Sequence, residues 1–135
     1  MNYKEYNEKI RIDINNFPMI FAFSDEQLFQ GMASLGVKHP SELCAIGCNG
    51  FIRKKDKDDF LHLMSEHKRL FSECLLNADF CYSMFLSEMA NHEYIITYDD
   101  DEVLEACQLK AEDLQSNDML QEMFLKAKEH YLATY

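Results

Sequence analysis

Residues 78–91, ADFCYSMFLSEMAN, set Phe80, Cys81, Met84, Phe85, Glu88 and Met89 at helical spacing and leave little polar surface. A helix this apolar has to be enclosed by the rest of the chain, so the core is expected to form around it. Asn77 is placed to cap it, since a short polar side chain before the first turn can accept from an orphan amide. The segment ahead carries Phe60, Leu61, Leu63, Met64, Leu70, Phe71 and Leu75, which predicts a long amphipathic helix to about residue 76, capped by Asp56 or Asp58.

The remaining elements follow from shorter signals. Tyr3, Tyr6 and Ile10 predict a polar helix over 2–12. FPMIFAF, 17–23, is too short for a helix and reads as a mostly buried strand, with Pro18 near its start where a missing N–H is tolerated. SDEQ, 24–27, has the form of a capping box and opens a helix over 25–35, with Phe29, Met32, Ala33 and Leu35 on one face and Gly36 as its end. In LCAIGCNGFIRKK, two apolar runs flank Cys48-Asn49-Gly50, and Asn49-Gly50 is expected to supply the positive φ angles of a tight turn, predicting paired antiparallel strands over 43–47 and 50–54. EYIITY, 93–98, is β-branched and aromatic and reads as a strand. Asp99 to Asp101 then cap a helix over 101–109. Asn117 caps a last one over 118–132, with Met119, Leu120, Met123, Phe124, Ala127 and Tyr131 inward.

The resulting order, α-β-α-β-β-α-α-β-α-α, lacks the regular alternation of a parallel doubly wound sheet. It predicts an α+β fold: an antiparallel sheet of about four strands with helices packed on one side. At 135 residues the chain has the size of one domain, 1–135, with a real core.

Charge is distributed unevenly. Residues 1–55 hold seven basic and six acidic side chains, whereas residues 56–135 hold six basic and 18 acidic ones. Between Glu93 and Glu122, ten acids face the single base Lys110. Such a surface repels nucleic-acid phosphate and anionic membrane, so direct nucleic-acid binding is not expected there, and a basic protein or a cation is favoured. The first residues, MNYKEYNEKIRIDINN, lack the apolar segment of a secretory signal, and no apolar run approaches a membrane span, which points to the cytoplasm. Five cysteines, Cys44, Cys48, Cys74, Cys81 and Cys107, at irregular spacing suit reduced thiols there rather than a disulfide framework.

Two groups of residues invite a chemical reading. HLMSEH, 62–67, resembles the inverted zinc-protease pattern but has one residue too many, so His62 and His67 lie about 140° apart on a helix and cannot grip one ion. Glu88 and His92 are one turn apart, and a strand starting at Glu93 could return a carboxylate beside them. With Asp99 these form a possible metal or acid-base set, the competing view being a helix end with Asn91 as terminator and His92 favoured by the helix dipole. CAIGC is not a redox C-x-x-C, GCNG lacks the Lys and Ser or Thr of a phosphate loop, and no G-x-S-x-G elbow occurs. No cofactor is expected. Arg53, Lys54, Lys55 and Lys57 form the one basic cluster, which could meet the acidic 99–105 segment of another copy and give a homo-oligomer.

FAFSDEQLFQGMASLG, GFIRKKD and MFLSEMANHEYIITYDDDEVLEACQL together resemble a family of small uncharacterised α/β proteins, a domain of unknown function, from bacterial, phage or mobile-element genomes. The resemblance spans about residues 17–110 and leaves the last helix outside. It carries no activity with it. It implies an accessory or host-interaction context and marks Asn91, His92, Glu93, Tyr94, Asp99 and Arg53 as positions to watch. The expectation is a non-catalytic protein working by contact through Asp99, Asp100, Asp101, Glu102 and Glu105, with mimicry of DNA as a variant. The alternative is a metal-dependent protein or enzyme using Glu88, His92, Glu93 and Asp99.

Overall fold

The computed structural model describes residues 1–134. Its elements are α1 (Tyr3–Asn16), β1 (Met19–Phe21), α2 (Asp25–Leu35), β2 (Leu43–Gly47), β3 (Gly50–Arg53), α3 (Lys57–Cys74), α4 (Ala78–Asn91), α5 (Tyr94–Thr97), α6 (Asp100–Ala106), α7 (Ala111–Gln115) and α8 (Asp118–Thr134). Short 3₁₀ turns precede β2 and follow β3. The chain divides into two compact units, one formed by Glu8–Arg69 and the other by Met1–Asn7 with the chain from Leu70 onward. The class is α+β, as expected.

The unit formed by Glu8–Arg69 holds the sheet, which has three antiparallel strands in the order β1-β3-β2 rather than about four. The hairpin is where the sequence places it, but its positive φ angles fall on Cys48 (51°) and Asn49 (61°), preceded by Gly47 at 91°. The two-residue turn is therefore Cys48-Asn49, and Gly50 already pairs with Gly47 in the ladder. Ile52, on the central strand, is fully buried.

Strand β1 is shorter and less buried than FPMIFAF suggests, with Phe21 53% and Phe23 73% exposed. Helix α2 begins at the predicted cap: Ser24 Oγ accepts from the Gln27 amide, and Gln27 Oε1 accepts from the amide of Phe23. It ends at Gly36 in the left-handed conformation. Met32 is buried with Val37 and Leu43, backed by Leu28, Leu35 and Phe51, while Phe29 and Ala33 turn outward against expectation. The buried stripe thus runs through Leu28, Met32 and Leu35.

A glycine sets how closely α2 approaches β1. A Cβ on Gly31 would lie 2.4 Å from Ile20 Cδ1 and 3.0 Å from Ile20 Cβ. Ile is stiff at χ1 and cannot swing its branched carbon away cheaply. Gly31→Ala is therefore expected to destabilise by about 1–3 kcal/mol despite its better helix propensity. Urea unfolding of the variant, with an unchanged m-value, checks this.

In the other unit the apolar helix α4 is central as predicted: Phe80, Cys81, Met84, Phe85 and Met89 are fully buried. Asn77 Oδ1 accepts from the Phe80 amide. Helix α8 packs along α4 through Leu120, Met123, Phe124, Ala127 and Tyr131, with Met119 only half-buried. Phe85 and Phe124 meet edge-on at 5.2 Å. Tyr3 and Tyr6, from the first turns of α1, close edge-on over Phe80, each at 5.7 Å.

The largest departure from expectation is EYIITY. The segment is a single helical turn, α5, bracketed by Glu93 and Tyr98, both in the left-handed region at φ 49° and 48°. Residues in that region cannot continue a strand. Packing overrides the β propensity: Tyr94 is buried against Tyr131 at 6.1 Å, and the Ile95 amide donates to Tyr131 Oη. Helix α7 has no counterpart in the sequence reading. Its opening is tied by Asp113 Oδ2, which accepts from the Lys110 amide.

Candidate functional site

Three places in the structure bear on function. The first is the C-terminal end of α4. Glu88 is 8% exposed, and its Oε1 accepts from Tyr3 Oη at 2.8 Å and from Asn91 Nδ2 at 3.3 Å. His92 caps the helix, with Nε2 3.4 Å from Glu88 Oε2 and Nδ1 2.9 Å from Glu102 Oε1. The imidazole thus stands between a carboxylate of α4 and one of α6.

This arrangement replaces the set expected from sequence. Glu88 and His92 do come together, but the third carboxylate is Glu102, brought in by the α5 turn, and not Glu93 or Asp99. Glu93 is exposed on its left-handed turn, and Asp99 caps α6 by accepting from the Glu102 amide. With the two ring nitrogens turned to separate carboxylates, the donors surround the ring instead of converging on one point. Among the described residues no group of three or more His, Cys, Asp or Glu side chains is arranged to hold a metal ion.

Burial and the Glu88 charge act on their neighbours. The Tyr3 hydroxyl is pushed well above its ordinary range, by burial first and by its bond to Glu88 second. Burial, with Glu88 and Cys81 nearby, pushes the Cys107 thiol up to about 12. Burial also pushes Cys81 up to about 11, and its Sγ–H donates to the Leu75 carbonyl. All five cysteines are free thiols. Because the thiolate is the nucleophile, a thiol reagent at pH 8 is expected to modify exposed Cys48 first and half-buried Cys44 next. Cys74, Cys81 and Cys107 should react only on unfolding, which mass mapping of labelled peptides checks. The sign of the pH effect follows: a thiol held neutral by the fold contributes stability below its ordinary value. That stability is lost as pH rises from about 9 towards 12.

The second place is the acidic stretch, which divides into internal and outward carboxylates. Asp100 Oδ1 accepts from Tyr94 Oη at 2.5 Å and Oδ2 from Lys128 Nζ at 3.1 Å, Asp99 caps α6, and Glu102 meets His92. Asp101 and Glu105 are exposed and line an open cleft of about 640 Å³ with Leu104, Gln108, Lys110 and Glu112. A smaller cleft of about 270 Å³, bordered by Asp100, Asp101, Leu104, Phe124 and Lys128, also opens on this unit.

The third place lies in the sheet-bearing unit. HLMSEH forms no ion grip: His67 is buried and its Nε2 lies 2.8 Å from Asp13 Oδ2, while His62 and Glu66 border a cleft of about 330 Å³ with Asp13 and Asp59. His67 and Lys9 hold the Asp13 carboxyl below its usual range, and Arg69 does the same for Glu66. Arg53 is engaged by Asp56 at 2.6 Å. Of the six positions marked by resemblance, Asn91 and His92 meet at Glu88, Tyr94 joins Asp100, and Asp99 is a cap. Glu93 is exposed and Arg53 belongs to the sheet-bearing unit.

Sequence reasoning missed Tyr3 as the partner of Glu88, and it missed Lys128 with Asp100. Separations of 85 and 28 residues leave no local signal for either pair. No helix is long and apolar enough to cross a membrane among the described residues. No curated protein and no solved structure matches the chain. A match to a family model covers more of the chain than the stretch 17–110 that drew attention in the sequence, taking in α1 and most of α8. The model of a family of unknown function, DUF7659, matches residues 2–130, and the chain belongs to that family.

Proposed function

We propose that this is a single-domain, non-catalytic accessory protein of the cytoplasm that works by contact, in the setting of a bacterial, phage or mobile-element genome. Its contact surface is the outward side of α6 and the cleft beside it, and its partner is a protein segment rich in Lys or Arg. The observation that supports this most directly is the open cleft of about 640 Å³, where Asp101, Glu105 and Glu112 face solvent around the single base Lys110. Three carboxylates around one shallow opening create a local field that attracts a cationic chain and raises its association rate. The arrangement around His92 supports a structural role for that residue, because its two ring nitrogens already face Glu88 and Glu102.

The test is titration with a Lys/Arg-rich peptide, followed by calorimetry at about 0.05 and about 0.5 M salt, where screening differs strongly. Binding should weaken steeply with salt and disappear in Asp101→Asn/Glu105→Gln/Glu112→Gln, whose side chains cap no helix. Binding that survives these three changes would make the acidic face a solvated surface and nothing more. A parallel thermal-shift series with Mg²⁺, Mn²⁺, Zn²⁺ and Ca²⁺ should leave Tm unmoved. A clear rise would count for metal-dependent chemistry instead.

A further inference from the structure

Beside the acidic face, the same unit exposes two large apolar side chains. Ile96 is 72% and Tyr98 59% exposed, and Asp99, Asp101 and Glu105 follow, also exposed. Tyr98 is held in the left-handed conformation, with its amide donating to the Tyr94 carbonyl and its ring 5.6 Å from that of Tyr94. Bulky L-residues adopt this conformation at a cost of order 1 kcal/mol, so packing holds this ring at the surface against a local preference. The segment therefore presents an apolar anchor followed by two outward carboxylates, Asp101 and Glu105, with Asp99 held as the α6 cap.

The sheet-bearing unit carries the complementary shape. Where α2 ends and β3 exits, a groove of about 340 Å³ is lined by Leu35 and Val37 together with Arg53, Lys54 and Lys55. Arg53 is paired with Asp56, which leaves Lys54 and Lys55, both exposed, without an acceptor among the described residues. Glu42 also borders the groove, but its carboxylate already accepts from the amides of Lys38 and His39. Apolar side chains and two unpaired cations lining one groove suit a ligand with an aromatic anchor beside carboxylates.

We propose that the occupant is the 96–105 segment of a second copy of this chain. Tyr98 of one copy enters against Leu35 and Val37 of the next, and Asp101 and Glu105 meet Lys54 and Lys55. The contact is head-to-tail, so each copy keeps one free donor and one free acceptor, and assembly closes into a ring or continues as a filament. This rests on the reading of the acidic face as a contact surface and names its partner. The overall charge of −11 opposes association at long range, whereas the paired patches attract within a Debye length of about 10 Å at 0.1 M salt.

Sedimentation equilibrium of the full chain at about 0.1 M salt should show a mass that rises with concentration above the monomer and returns to it at about 0.5 M. Lys54→Glu/Lys55→Glu and Asp101→Lys/Glu105→Lys should each be monomeric, and an equimolar mixture of the two variants should regain the heavier species. Tyr98→Ala should lower the mass without changing the charge. A monomer under every condition, or charge-swapped variants that fail to associate on mixing, would overturn the proposal. A monomer that still binds the Lys/Arg-rich peptide removes self-assembly and leaves the contact reading intact, whereas loss of peptide binding as well removes both.

Discussion

Phe80→Ala lowers the free energy of unfolding by about 3–5 kcal/mol, the largest effect expected of any single truncation in this chain. The ring is fully buried and is met edge-on by Tyr3 and Tyr6 at 5.7 Å each and by Phe71 at 6.3 Å. Three aromatic neighbours from two helices cannot collapse together into the space left behind, because Tyr3 is also tied through its hydroxyl to Glu88. Lost transfer energy and a residual cavity therefore add. For a chain of this length such a loss corresponds to a fall in Tm of more than about 10 °C. Phe80→Leu, which refills much of the volume, should recover over half of it. A fall in Tm below about 3 °C for the alanine variant would show that the aromatic cluster is not the anchor of this unit.

Breaking the bond between Tyr3 and Glu88 is the second large effect. Tyr3→Phe removes one donor from a carboxylate that is 8% exposed, at an expected cost of about 1–3 kcal/mol, and Glu88→Leu takes the main acceptor from the buried Tyr3 hydroxyl at a similar cost. The double variant, with neither polar group left unmatched at this contact, should lie well above the sum of the two losses. The expected coupling is about 0.5–3 kcal/mol. Strict additivity would mean that the contact carries no energy of its own. The pH dependence gives a separate reading. The fold holds the Tyr3 hydroxyl neutral to higher pH than usual, so its contribution is present below the ordinary tyrosine range and is lost as pH rises above about 10. Tyr3→Phe should flatten that part of the stability profile.

The two variants probe what is hardest to read from sequence. Glu88 is visible as a charged residue among apolar neighbours on α4, which signals a buried group in need of partners, but its partner lies 85 residues away. The grouping of Glu88 with His92 is legible because a spacing of four residues on a helix fixes it. Glu102 is not, because its arrival depends on the path between α4 and α6, and that path has the local signals of a strand. The five acids from Asp99 to Glu105 look like one surface in sequence. Their hydrogen bonds divide them into three that hold the fold and two, Asp101 and Glu105, that face outward.

By itself the sequence determined whatever follows from spacing and local chemistry: the apolar face of α4, the caps at Ser24, Asn77 and Asp99, the stop at Gly36 and the presence of a hairpin between 43 and 53, though not which two residues make its turn. Each of these rests on interactions a few residues long, so no knowledge of the rest of the chain was needed. Tertiary structure alone decided that 93–98 is a helical turn, that the sheet stops at three strands, that Gly31 sets the approach of α2 to β1, and that Tyr3 reaches buried Glu88 and Lys128 reaches Asp100. In those cases local preference amounts to about 1 kcal/mol or less per residue, while burying Tyr94 or satisfying Glu88 contributes more. Burial and hydrogen bonding therefore prevail over local preference, and they act only once distant segments have met.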